Sequence, residues 1–190
     1  MPKNIAVFAS CTGSNAKKII DHFKHHKKIN VCLIVSNKRE AKVLAMAKEE
    51  GVPTCVISKE NFYDKKHILN LFNKYFVDYV VLAGFLLLMP KYLVKAYGMK
   101  MVNIHPSLLP KYGGKGMYGM NVHKAVKEAG EKESGMTVHY VNEQYDDGDI
   151  VFQKTCKLTE DDTPQMIAKK VQTLEHLYFP IIIENLVSNL

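Results

Sequence analysis

Asn103 and His105 stand two residues apart in the run Val102-Asn-Ile-His-Pro-Ser-Leu-Leu-Pro110. In an extended strand, residues i and i+2 share a face, so an amide and an imidazole point out together while Ile104 turns to the core. Pro106 has no N–H to donate and ends the ladder there. Such a pair suits stabilisation of a developing oxyanion or transfer of a proton, and open α/β proteins place their chemistry at carboxyl strand edges. The same two side chains serve equally well as a hydrogen-bonded lock on a turn. The residues alone leave both readings open.

Other stretches carry polar groups where a ligand can be held. Cys11-Thr-Gly-Ser-Asn15 lies between an apolar run and a helical pattern bearing Ile19, Ile20 and Phe23. That strand–turn–helix order aims free backbone N–H groups at an anion. Gly13 permits close approach, Ser14 reads as the N-cap, and Asn15 adds a further donor. Tyr145-Asp-Asp-Gly-Asp149 crowds carboxylates into one turn, which is either solvated or part of a site. It lacks the oxygen ligands at fixed offsets that a calcium loop needs. Glu175 lies beside the apolar stripe of the last helix, within reach of a ligand edge. His139 shares a strand face with Thr137 and is expected to be a hydrogen-bonded strand residue rather than a catalyst. His123, beside a glycine-rich flap at 111–119, is ambiguous.

The elements that must position these groups follow from apolar periodicity. Nearly continuous apolar runs at 4–10, 30–36, 54–57, 77–83 and 100–105 predict strands buried on both faces. Helices are expected at 38–50, from Ser58 through Tyr75, at 90–97 and at 122–129. Alternation predicts two more strands, at 136–141 and 150–158. A last helix is capped by Thr163 with Pro164 at its first position and a kink at Pro180. The fold class is α/β: a doubly wound, mostly parallel Rossmann-like sheet with helices on both faces, in one domain spanning 1–190. Leu86, Leu87, Leu88 and Met89 form either a buried crossover or the wall of a pocket for a flat apolar group.

Composition narrows the partners. The chain has 190 residues, 47% of them apolar, and a net charge of +7, which favours anions. The lysines are scattered, so small anionic substrates fit at least as well as RNA. Four widely spaced cysteines show no metal or disulfide pattern. The first apolar run is too short for a signal peptide, and no stretch is long enough to span a bilayer. A soluble cytoplasmic protein is expected.

These residues resemble the formyltransferase family that uses 10-formyltetrahydrofolate. The likeness rests on Asn103-Ile-His-Pro-Ser-Leu-Leu-Pro-Lys-Tyr112, Ser134-Gly-Met-Thr-Val-His139 and Tyr145-Asp146 before Gly148. Gly13-Ser-Asn15, Val81-Leu-Ala-Gly-Phe85 and Val171-Gln-Thr-x-Glu-His176 extend it over nearly the whole chain and point to the branch that formylates glycinamide ribonucleotide. The resemblance implies catalytic roles for Asn103, His105 and Asp146, and so chooses among the three aspartates. It implies a ribonucleotide site at Gly13, Ser14, Asn15 and Glu175. It implies a formylfolate site at Leu86, Leu87, Leu88, Met89 and Asn103, with Lys59 near the folate tail. No metal is implied, and the state expected is a monomer or weak homodimer that binds no nucleic acid or membrane. A cis Leu109-Pro110 bond is expected from the same source.

The departures are specific. Relatives commonly carry Arg where Leu87 stands, smaller or amide residues at Cys11 and Thr12, and often His at Asn121, and their flap is about four residues shorter. The expected chemistry is attack of the ribonucleotide amine on the formyl carbon. Asn103 and protonated His105 donate to the oxyanion, Asp146 favours the charged ring, and proton transfer is either direct or water-relayed. The rivals are a methionyl-tRNA formyltransferase and a formyltetrahydrofolate deformylase, which carry further domains, and a flavodoxin-like flavin carrier.

Overall fold

The computed structural model describes residues 1–189. The chain alternates β1 (Lys3–Phe8), α1 (Ser14–Phe23), β2 (Ile29–Ser36), α2 (Lys42–Glu49) and β3 (Thr54–Val56). It continues through α3 (Lys59–Tyr63), α4 (Lys65–Lys74), β4 (Tyr79–Leu82), α5 (Lys91–Tyr97) and β5 (Met101–His105). Then come α6 (Met120–Glu128), β6 (Glu133–Tyr140), β7 (Ile150–Lys157) and the long α7 (Pro164–Ser188). The seven strands lie in the order β3-β2-β1-β4-β5-β6-β7. From β3 to β5 all pairs are parallel, and β6 and β7 are antiparallel additions. This is the doubly wound, mostly parallel α/β sheet expected from the apolar runs.

The inner strands β1, β2, β4 and β5 are buried on both faces, and their alternation divides the core into two layers. Ile5 and Val7 of β1 pack with α1, α2, α6 and α7, whereas Ala6 and Phe8 face α3, α4 and α5. In the second layer Phe8 meets Phe62, Phe72 and Phe85 with ring centroids 5.1–6.2 Å apart. After β1 the chain winds outward to β3, then jumps back to β4 on the other side of β1. A crevice must open at the carboxyl ends of β1 and β4, where the winding reverses.

Several boundaries differ from the sequence reading, each for a local reason. The helix expected from 38 begins at Lys42, because Ser36 Oγ takes the Lys38 N–H and Ala41 closes a turn onto Lys38. The helix expected from Ser58 to Tyr75 is two helices, because Asp64 is extended and its carboxylate caps the second through Lys66 and His67. Ser14 is not an N-cap: Gly13 occupies that position in a left-handed conformation with φ +76, and Ser14 is the first helical residue. At the other end Thr163 caps α7 as expected, accepting from Met166 N–H at 3.2 Å. The helix continues through Pro180 to Ser188. No helix among the described residues is long and apolar enough to cross a membrane.

Candidate active site at the carboxyl edge of the sheet

A cleft of about 850 Å³ opens where the strand order reverses. Its floor comes from the ends of β1, β4 and β5, its roof from the glycine-rich flap, and one side from α7. Ser10 ties the floor together. Its hydroxyl donates to Asn37 Oδ1 at 2.6 Å and accepts the Leu86 N–H at 3.0 Å, pinning the loop after β4 to the end of β1.

The loop after β5 is held from β6. Thr137 Oγ1 donates to the Ser107 carbonyl at 2.6 Å and accepts from Leu109 N–H at 3.1 Å, while Gln153 Nε2 donates to the Leu109 carbonyl at 2.9 Å. The Leu109-Pro110 bond is cis. With the backbone so fixed, Asn103 and His105 leave β5 on one face, as alternation requires, and Ile104 is buried in the core.

Asp146 reaches the pair from the acidic turn. It adopts φ +54, a left-handed conformation that Asp tolerates better than most residues. Its Oδ2 lies 3.4 Å from His105 Nδ1 and accepts the Gly114 N–H at 2.9 Å. Its Oδ1 accepts from Asn103 Nδ2 at 3.3 Å and lies 3.7 Å from His139 Nε2. Burial opposes ionisation of this carboxyl, yet the His105 ring beside it and the Gly114 N–H outweigh burial and hold the group far below the usual carboxylate range. The other two aspartates of the turn stay outside the cluster; Asp147 is held by Asn142 Nδ2 at 3.0 Å. Gly148 is required behind them, because a Cβ there would sit 1.8 Å from the Tyr140 carbonyl oxygen.

His139 is a satisfied strand residue, and its partners are the site itself. Its Nδ1 bonds the Tyr140 carbonyl at 2.7 Å, which can only accept, so Nδ1 carries the proton. Nε2 of the neutral ring is then an acceptor for Asn103 Nδ2 at 3.0 Å, and this fixes which way the amide faces.

Gly13, Ser14 and Asn15 line the far end of the same cleft, together with Glu175 of α7. Asn15 Nδ2 donates to Glu175 Oε2 at 2.8 Å, and Gln172 Nε2 donates to Ser14 Oγ at 3.3 Å. Burial raises the Glu175 carboxyl despite the Asn15 bond. Gly13 combines φ +76 with a close approach to α2, where a Cβ would meet Val43 Cγ2 at 2.4 Å. Gly13→Ala should therefore displace the helix N-terminus and lower the affinity of this turn for an anion by about tenfold in a phosphate titration, while leaving the rest of the sheet folded.

The structure separates the remaining candidates. Leu86 lines the cleft; Leu87, Leu88, Met89 and Lys59 do not. Leu87 packs against the aromatic layer, the Leu88 carbonyl accepts from Tyr63 Oη at 3.1 Å, and Met89 is buried in the core. Lys59 is exposed at the start of α3. Cleft residues that the sequence did not single out include Lys115, Met117, Tyr118 and Gln172. Only Gln172 left a signal, standing one helical turn before Glu175. Asn121 ties the flap to α6 by donating to the Gly116 carbonyl at 3.1 Å.

His123 resolves from ambiguous to a buried cleft residue whose Nδ1 has no hydrogen-bond partner among the described residues. Burial, then the charge of His105, pushes its imidazole down to about 4. In the unfolded chain it titrates near 6.5, so between those values the unfolded state binds a proton that the folded state does not. Its contribution to stability is thus present above pH 6.5 and is lost as pH falls toward 4. Urea midpoints at pH 7 and 4.5 should differ less in His123→Gln than in the parent.

Among the described residues, no group of three or more His, Cys, Asp and Glu is arranged to hold a metal ion. An open, doubly wound sheet with its polar side chains gathered at the switch point defines the class of α/β proteins that bind a small ligand across their carboxyl strand edge. Comparison with known proteins is narrower. The family model described as formyl transferase matches residues 3–183, and the chain belongs to that family. A phosphoribosylglycinamide formyltransferase of Bacillus subtilis is 35% identical over 97% of this chain and 94% of its own length. The chloroplastic phosphoribosylglycinamide formyltransferase of Arabidopsis thaliana is 41% identical over 95% of this chain, which spans 64% of that protein. Among solved structures, the phosphoribosylglycinamide formyltransferase of Coxiella burnetii superposes with a TM-score of 0.89 at 33% identity, over 100% of this chain and 89% of its own.

Proposed function

We propose that this chain transfers the formyl group of 10-formyltetrahydrofolate to the amine of 5-phosphoribosylglycinamide, giving formylglycinamide ribonucleotide and tetrahydrofolate in purine biosynthesis. The observation that carries this reading is the meeting of two sites in one cleft. Asn103, His105 and Asp146 converge at one end, and the N-terminus of α1 with Gly13, Ser14 and Asn15 stands at the other. A ribonucleotide phosphate seated on those backbone N–H groups places the amine toward the catalytic end, with Glu175 beside the ribose.

Attack of the amine on the formyl carbon develops an oxyanion. His105 offers it the Nδ1 side of its ring, because Nε2 is committed to the Tyr112 carbonyl at 2.8 Å. Asn103 gives both amide hydrogens to His139 and Asp146, and the longer bond, to Asp146, is the one that turns to the oxyanion at least cost. Removing such a donor costs roughly 2.7–4 kcal/mol of barrier. The charged ring, facing the Asp146 carboxylate, protonates the departing folate nitrogen, and the proton released by the attacking amine restores it. The folate lies along the loop after β4, where Leu86 supplies cleft surface. The protein acts in the cytoplasm as a monomer or weak homodimer.

A formyl-transfer assay with the ribonucleotide present or omitted tests the reading. Loss of 10-formyltetrahydrofolate should require the ribonucleotide. Equal loss without it would instead identify a hydrolase acting on the same folate.

A further inference from the structure

Outside the cleft, one carboxylate touches the machinery from behind. Glu131 follows α6 and faces a separate cavity of about 230 Å³ on the far side of the 107–112 loop. Its Oε1 accepts from Tyr112 Oη at 2.9 Å and from Lys111 Nζ at 2.8 Å. Tyr112 itself adopts φ +56, a left-handed conformation rare for a bulky side chain. In that conformation its carbonyl accepts from His105 Nε2 at 2.8 Å. Two residues on, Gly114 N–H reaches Asp146 Oδ2 at 2.9 Å. Between them Gly113 leaves no room, since a Cβ would lie 2.5 Å from Leu109 Cδ2 and 3.2 Å from Asp146 Cβ. The base of the flap therefore brackets the His105–Asp146 pair.

A carbonyl only accepts, so Nε2 carries a proton whether the ring is neutral or charged, and Nδ1 takes the second proton, toward Asp146 and the cleft, when the ring is charged. We infer that Glu131 is a positioning residue for the reaction proposed above, on which this inference rests. By gripping the Tyr112 hydroxyl and Lys111, it holds Tyr112 in the turn whose carbonyl sets the tautomer and plane of the His105 ring. The Lys111 contact alone would carry little, being an exposed ion pair. The Tyr112 contact is the one that reaches the ring. The other charged and titratable groups that act on His105 are Asp146, His123 and Glu175, and none of them is altered by a change at Glu131.

The test uses the full chain labelled with ring-15N histidine, with His105→Asn identifying the His105 signals. Long-range 1H–15N spectra report the tautomer directly and need no substrate, so they decide the inference even if the wild-type protein transfers no formyl group. The parent should show His105 protonated at Nε2. Glu131→Ala and Tyr112→Phe should move both ring nitrogens toward tautomer-averaged shifts, whereas Glu131→Gln, which keeps an acceptor oxygen, should not. In the transfer assay the first two should lower kcat about tenfold with KM nearly unchanged, as expected for a displaced catalytic ring. The double variant should be no worse than either single one, because both break the same link. Unchanged His105 shifts in the folded variants, or losses that add in the double variant, would overturn the assignment. Should Glu131→Ala fail to fold, Tyr112→Phe, which keeps the ring volume, decides alone.

Discussion

His105→Ala should bind the ribonucleotide and the folate nearly as the parent does and turn over roughly 100- to 10,000-fold more slowly, the usual worth of a positioned general acid. The affinity expectation follows from geometry, since the proposed phosphate end at Gly13, Ser14 and Asn15 makes no hydrogen bond to His105. The rate expectation follows from the same geometry: Nδ1 of this ring lies between the Asp146 carboxylate and the cleft. The variant leaves the Tyr112 carbonyl without its donor and should lose about 1–3 kcal/mol of stability. Steady-state kinetics at a temperature where the variant is fully folded separate the two effects. Turnover within a few-fold of the parent would remove His105 from the mechanism.

The second large effect is expected at Asp146→Asn. Asparagine is isosteric, tolerates φ +54, and keeps an oxygen for the Gly114 N–H, so the turn survives while the charge and the acceptor that Oδ1 offers Asn103 are lost. Turnover at neutral pH should fall and the pH–rate profile should change shape, because the ring loses the carboxylate 3.4 Å from its Nδ1. Stability supplies an independent check. The folded-state carboxyl sits far below its ordinary 3.8, so its contribution is present above about pH 4 and is lost as pH falls through the folded value. The difference in urea midpoint between parent and variant should therefore be largest near neutrality and shrink in acid. A variant with the parent's pH profile and turnover would show that the carboxylate has another task.

What could be read in the sequence was what periodicity and local chemistry dictate. Runs such as 77–83 are apolar on both faces because the strand is covered on both faces, and this made the parallel sheet legible. Strand alternation placed Asn103 and His105 together, and the strand–turn–helix order at Gly13 placed a helix N-terminus beside the same cleft. Alternation could not choose among Asp146, Asp147 and Asp149. That choice depends on one left-handed residue and on where β6 and β7 turn, and only the family resemblance pointed to Asp146. His139 looked like an ordinary strand residue because its role depends on a partner 36 positions away in sequence. His123 and Gln172 were obscured because a helix face says what is buried, not what is buried against a ligand. Of the apolar stretch, only Leu86 reaches the cleft, since the loop after β4 turns Met89 back into the core. Asp64 split one expected helix in two because a capping carboxylate also fits a helix interior on paper.

The central claim is that this cleft moves a formyl group from a folate nitrogen to a ribonucleotide amine. Following a 13C-labelled formyl carbon by NMR in a single turnover tests it most directly. The label should leave 10-formyltetrahydrofolate only when 5-phosphoribosylglycinamide is added and should reappear as the formamide of formylglycinamide ribonucleotide. Label appearing as free formate, at a rate indifferent to the ribonucleotide, would contradict the account.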